Sequence, residues 1–325
     1  MSQTPSAPLA NQSDTPYTLS DWVRAGDLPA SLREQLLERI DTLPRPPSAV
    51  QQLLSQEFID NASSPELAKV VMSEPAVAGK VIATVNSPLY KLRNPVSSIG
   101  QAITFLGMNQ VRGICIQRLL TGCFTSDDSR VGSALDSVWH ANGAATLLQP
   151  KLAQVFRVPD AAALTSQVIL SFIGQLGVAA LLPVASLEAW GRSDLMQRCR
   201  MEEQLIGINA TEIGELVLRK WGIPEAMVVA VRDMGRMLVT PLSEPSPAAS
   251  HANSVGFLCV WMAEQLTRGL GSAKALPWKP LDTPAPELQA WLTYLELPRM
   301  QEGAAVLGDD SMQDLYQQIR SGQNS

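Results

Sequence analysis

The run Glu74–Gly107, EPAVAGKVIATVNSPLYKLRNPVSSIGQAITFLG, reads as a helix, a stiff break and a second helix. Pro75 stands in a first turn, where its missing N–H costs nothing. Ala76, Val77, Val81, Ile82 and Val85 share one apolar face. Asn86-Ser87-Pro88 ends that helix, because the residue before a proline is pushed out of the α region. A short loop with Leu89, Tyr90 and Leu92 closes at Asn94-Pro95. Ser97 or Ser98 can cap the next helix, with Gln101 three residues after Ser98 as in a capping box. Ile99, Ala102, Ile103 and Leu106 form its buried face, and Gly107 stops it. No side chain here is an obvious nucleophile, base or metal ligand, so the stretch acts by shape.

The same helical period runs through the rest of the chain without strand-like alternation, which predicts an all-α protein. A proline-rich entry leads to a helix from Ser48 to Ile59. Ser63 or Ser64 caps the next, with Pro65 and Glu66 in its first turn. Val111, Ile114, Cys115, Leu119 and Phe124 mark another. Further helices are expected over Ser133–Leu152, Leu187–Ile206, Thr211–Trp221, Pro224–Met237 and His251–Gly269. Leu288–Leu295 and Asp309–Ile319 read as short amphipathic helices. The almost wholly apolar run from Ala161 to Leu182 predicts one helix buried on all sides and stopped by Pro183.

The chain has 325 residues, 46% of them hydrophobic, which suffices for a sizeable core. Residues 1–17 are polar and proline-containing, and disorder is expected there. Residues 18–42 read as an N-terminal helical extension, 43–238 as the main domain and 239–250 as a linker. Residues 251–325 read as a C-terminal helical extension packed on the main domain. A net charge of -6 without a basic run argues against nucleic acid as a partner. Cys115, Cys123, Cys199 and Cys259 form no CxxC pair and read as buried free thiols in a reducing compartment. No signal-peptide pattern opens the chain, and its apolar runs are too short or interrupted to span a bilayer. A cytoplasmic protein with no membrane partner is the expectation.

Three segments carry a resemblance: LPRPPSAVQQLL, SPELAKVVMSEPAVAGKVIATVNSPLY and NPVSSIGQAITFLGMNQVR. In order and over more than sixty residues they resemble the HDOD domain, the HD-related output domain of bacterial signalling proteins. The resemblance implies a multi-helical HDOD fold. In it, an N-terminal helical subdomain packs on a degenerate subdomain related to HD-type phosphohydrolases. Those hydrolases hold divalent ions with histidines and a His-Asp pair, and the ions activate a water. Here His140, in SVWHANGAA, matches the first family histidine, while the pair falls on Ser171 and Phe172. The lysine that commonly follows is Gln175, a later histidine is replaced by Ala210, and a last pair falls on Asp233 and Met234. One imidazole cannot hold a catalytic metal, so no catalytic residue, metal or cofactor is expected. His140 is then a helix histidine hydrogen-bonded in or near the core, the alternatives being a vestigial ligand or a small-molecule contact. Phe172 would fill the old metal cavity. His251 reads as a surface or capping residue.

The function implied is a non-enzymatic regulatory module in bacterial signal transduction, acting through a protein partner. The alternative is a nucleotide or phosphorylated ligand held in the former active site, and after that a residual metal-dependent phosphohydrolase. The candidate partner-binding residues are Tyr90, Lys91, Leu92 and Arg93, in a proline-stiffened loop that loses little entropy on docking. Arg112 joins them as a cation for an acidic partner. The plainer readings are that Tyr90 and Leu92 cover the core and that Arg93, Arg112 and Arg118 are ordinary surface charges. The carboxylates Glu202, Glu203, Glu212 and Glu215 read as a solvated helix face. Replacing Tyr90 and Arg93 together by alanine is expected to weaken partner capture and leave the thermal midpoint nearly unchanged.

Overall fold

Prolines and small polar residues punctuate the chain, and helices form between them. The computed structural model describes residues 17–322 except 88, 89, 91, 245, 247–249, 270, 283 and 284. The disorder expected over 1–17 therefore lies outside the described residues, save for Tyr17. Among the described residues the chain forms eighteen α-helices and no strand. The N-terminal part holds α1 (Ala30–Asp41), α2 (Ser48–Leu54), α3 (Gln56–Asn61), α4 (Ser64–Met72), α5 (Pro75–Val85), α6 (Ile99–Leu106) and α7 (Met108–Thr121).

Local chemistry sets these boundaries. Ser63 and Glu66 form the capping box of α4. Ser98 caps α6 by accepting from Gln101 N at 3.2 Å, while Gln101 Oε1 reaches back one residue further, to Ser97 N at 2.7 Å. Gly107, at φ +84°, ends α6 and opens α7, a conformation a side chain would strain. The break after α5 is closed by a device that periodicity could not show. Asn86 Nδ2 donates to Val96 O and Asn86 Oδ1 accepts from Val96 N, both at 2.8 Å. One side chain thus mimics a two-bond backbone bridge across the loop.

The second part is built on α8 (Ser129–Val155), α9 (Ala161–Ser171), α10 (Ile173–Leu181), α11 (Leu187–Arg192), α12 (Leu195–Ile206), α13 (Ala210–Lys220) and α14 (Glu225–Arg236). The single helix expected from Ala161 to Leu182 is two helices that meet at Phe172. Ser171 Oγ donates to Val168 O at 2.7 Å, a local bond of the kind that bends helices. This stretch, Ala161–Leu181, is the one described segment long and apolar enough to cross a membrane, and 83% of its most apolar window is buried inside the protein. Likewise Leu187–Ile206 is not one helix. It breaks at Ser193, and Asp194 restarts it by accepting from Gln197 N at 2.8 Å.

The chain then forms α15 (His251–Arg268), α16 (Gln289–Leu292), α17 (Pro298–Ala305) and α18 (Asp310–Ser321). The long helices α8 and α15 make the most extensive helix pair, and α9 packs against both. The C-terminal part is stitched down by aromatic residues. Trp291 Nε1 donates to Ser254 O at 2.8 Å, and Tyr294 Oη to Thr240 O at 3.2 Å. Val239 and Thr240 are buried, although the sequence there reads as a linker. At the other end Trp22 Nε1 donates to Glu212 Oε1 at 2.9 Å, and Tyr17 Oη to Glu203 Oε1. Helices α10 and α13 cross at Gly174 and Gly214, where a Cβ on Gly174 would overlap Ala210 O. Cys115, Cys199 and Cys259 are buried and Cys123 partly so, all as free thiols.

Candidate functional site

The residues aligned with the metal position of HD-type hydrolases do not all meet. Ser171, Gln175, Ala210 and Met234 line one small cavity of about 70 Å³, together with Arg198, Cys199 and Glu202. Phe172 lies wholly in the core and is not part of this lining. Asp233 is buried and paired with Arg232 at 2.8 Å.

The cavity borders a buried polar network that the sequence did not reveal. Arg198 on α12 pairs with Glu264 on α15, the two side chains being 2% and 1% exposed. Gln175 on α10 joins them. Its Nε2 donates to Glu264 Oε1, and its Oε1 accepts from Arg198 Nη1 at 3.2 Å and Arg268 Nη2 at 3.5 Å. Both guanidinium groups stack on Trp190, 5.3 and 5.4 Å from its ring centre. Trp190 Nε1 donates to Glu202 Oε1 at 2.6 Å, and Ala210 N to Glu202 Oε2 at 2.7 Å. Burial pushes the Glu202 carboxyl up, against the pull of Trp190 and Arg198. Burial draws the Arg198 guanidinium down, and the like charge of Arg268 adds to that.

The carboxylates expected on a solvated face are therefore mostly inside. Glu202 and Glu212 are buried, Glu212 holding Trp22, the Ala25 N–H and Arg236. Glu203 accepts from Tyr17, Val23 N and Asn209. The sequence signal for this arrangement was faint: two tryptophans and three arginines dispersed over five segments. Among the described residues no group of three or more His, Cys, Asp or Glu side chains is placed to hold a metal ion.

His140 faces elsewhere. It is exposed on α8 and borders a separate cavity of about 350 Å³, with Tyr90, Gln117, Arg118 and Trp139. The face of α8 turned to α9 carries Ala141 and Asn142, both fully buried, and Asn142 Nδ2 donates to Ile169 O at 2.9 Å. One residue is about 100° of helical turn, so His140 is directed away from Ser171. The expectation of a hydrogen-bonded histidine in or near the core is corrected accordingly. His251 is half-buried and bonds through Nε2 to Phe156 O at 2.7 Å, tying α15 to the end of α8. Its place is thus a cross-helix bond and not a cap, which Ser250 supplies.

The candidate partner-binding residues separate as well. Tyr90 and Leu92 are partly buried and packed on the core. Burial pushes the Tyr90 phenol up, with Gln110 and Arg118 beside it acting in the other direction. Arg93 is exposed, and Lys91 lies outside the described residues. Arg112 is not on the surface. It is 2% exposed and donates to Ala162 O at 3.1 Å and Ser166 Oγ at 3.3 Å, joining α7 to α9. The side chains that do stand out are Met72 and Phe105, each 58% exposed, on the mutually packed helices α4 and α6. Periodicity would have found them as apolar residues on the polar sides of their helices.

Comparison with known proteins agrees with this architecture. The family pattern of the HDOD domain matches residues 43–236. A protein from Marinobacter aquaeolei VT8, provisionally described as a signal transduction protein, superposes with a TM-score of 0.62 at 21% identity. The match takes in 91% of this chain and 65% of that one. An HDOD domain protein of unknown function from Geobacter sulfurreducens gives 0.59 at 17% identity, over 89% and 96% of the two chains. A protein from Shewanella amazonensis SB2B, provisionally described as a phosphohydrolase, gives 0.55 at 20% identity, over 87% and 97%. No curated protein sequence matches significantly. With the family pattern covering more than half its length, the chain belongs to the HDOD domain family.

Proposed function

We propose that this protein is a non-enzymatic regulatory module that works through a protein partner, its phosphohydrolase-like site having lost the chemistry of a metal centre. The observation that carries the reading is the Arg198–Glu264–Gln175 cluster beside the cavity at Ser171. A fixed guanidinium stands beside the position where a hydrolase needs a divalent cation. The lining does not fit such an ion. Ser171, Gln175, Ala210 and Met234 offer no imidazole and no carboxylate, and both oxygens of Glu202 already accept hydrogen bonds. The cavity is also too small for a nucleotide, since ligand sites span roughly 300–1,000 Å³. The exposed pair Met72 and Phe105 supplies a surface for the partner, large apolar side chains being common anchors of interfaces.

Two measurements test the proposal. With Mn²⁺, Mg²⁺ or Zn²⁺ and a generic phosphodiester, the purified protein is expected to show no metal-dependent turnover. A photoreactive residue at position 105 in the native cell is expected to give one discrete protein adduct. Saturable turnover lost on Glu202→Gln, or no adduct from position 105, would overturn it.

A further inference from the structure

The cavity beside His140 is built unlike the one at Ser171. Its walls come from both halves of the fold: Thr84 of α5, Tyr90 of the loop and Arg118 of α7 on one side, Trp139 and Gly143 of α8 and Ile319 of α18 on the other. At about 350 Å³ it lies at the lower end of small-molecule sites.

Two of its lining residues hold a buried donor without an acceptor. Trp139 is only 7% exposed, and its indole Nε1, buried, has no hydrogen-bond partner. Arg118 Nε is likewise buried and unpartnered. Polar atoms in a protein interior are normally paired, and an unpaired one points to a missing partner. Gln117 Nε2 adds a further donor against Gly143, where a Cβ would come within 3.2 Å of it. The hollow continues past Thr84, Arg118 and Thr121 to Lys80, a second cation at the exposed end. Asp136 is the one carboxylate in the lining and stands on the exposed rim. Tyr90, Trp139, Leu147 and Ile319 make the apolar walls.

From this we infer that the cavity binds a small organic anion carrying a flat ring, of about mononucleotide size. Its anionic group meets Arg118 and Lys80, and the ring lies against Tyr90 and Trp139. Such a ligand would bridge the N-terminal subdomain and the α8 body. The inference goes beyond the protein-contact reading and does not rest on it.

The test uses the full chain with ¹⁵N-labelled indoles, the Trp139 resonance being assigned through Trp139→Phe. AMP and GMP form one arm and the aromatic carboxylates 4-hydroxybenzoate and indole-3-acetate the other. Inorganic phosphate and adenosine are the controls. A saturable shift of the Trp139 indole is expected in one arm, and which arm responds identifies the source of the anion. Affinity should fall at least tenfold with Arg118→Gln, less with Lys80→Gln, and not at all with Arg33→Gln, an exposed residue of α1, which contributes nothing to the cavity wall. Thermal unfolding of each variant, recorded alongside, separates lost binding from lost folding. The proposal is overturned if no probe of either arm shifts that resonance. It is also overturned if the shift survives both Arg118→Gln and Lys80→Gln, or if phosphate or adenosine alone binds as tightly as the full ligands.

Discussion

Arg198 and Glu264 face each other out of water, so each depends on the other to keep its charge satisfied. Removing one partner of such a pair leaves an uncompensated charge, at a cost of about 3–5 kcal/mol. Arg198→Met is therefore expected to lower the thermal midpoint sharply, and Arg198→Met with Glu264→Leu to recover most of the loss. Strictly additive losses in a double-mutant cycle would show that the pair is not coupled. Glu202 offers a pH test. Its folded pKa is raised above the ordinary 4.5, so the proton is held more tightly in the fold. That contribution is fully present below about pH 4.5 and is lost as pH rises through the folded pKa. Glu202→Gln cannot ionise, so its midpoint relative to wild type should climb between pH 4 and pH 8; a constant difference would contradict this. At this scale the stop at Gly107 was legible and the caps at Ser63 and Ser98 were legible to within one residue, because each acts on residues three or four places away. The Arg198–Glu264 pair spans 66 positions, and a charge reads the same whether its partner is water or a distant carboxylate. The Tyr90/Arg93 double substitution changes its meaning for the same reason: Tyr90→Ala removes packing, and only Arg93→Ala is a neutral probe.

Helix α10 is placed by what it lacks. Gly174 lets the backbone of α13 approach until Ala210 O occupies the space of a side chain. Gly174→Ala sets a methyl group against backbone, which cannot step aside as a side chain can. The expected loss is about 3 kcal/mol or more, read as a lower urea midpoint or as insoluble expression. Gly79, on the open side of α5 with nothing within 4 Å of a built Cβ, should accept alanine without loss. An unchanged midpoint for Gly174→Ala would mean that the two helices are not held at this distance. Most helices could be read from the sequence, since a 3.6-residue apolar period is a local property. The breaks at Ser55, Phe172 and Ser193 could not. A helix apolar on every side keeps no phase in its pattern, so the kink at Phe172 leaves no trace there. Ser193-Asp194 did carry a capping signal, overridden by the apolar pattern on either side of it.

Over the whole molecule, the family match ends at residue 236 but the core does not. Helix α15 lies along α8 as its most extensive partner, and Trp291 and Tyr294 fasten the C-terminal helices beyond it. A chain cut after residue 250 would expose the apolar face of α8 that α15 covers. It is expected to precipitate or to bind the dye ANS strongly, where the full chain does neither. A soluble, cooperatively unfolding 1–250 fragment would show that α15 is an accessory. The buried Arg198 carries one last consequence. A protein whose site must be filled by an ion is as stable as the supply of that ion allows, because binding energy is folding energy. Here the positive charge is covalently part of the chain, present at unit occupancy from synthesis onward. If Arg198 stands in for the lost cation as proposed, stability is uncoupled from cellular metal levels, and neither chelator nor excess zinc should shift the melting curve. On that reading the counter-charge comes with the chain itself, and protein made in metal-starved cells should melt at the same temperature as protein made in metal-replete ones.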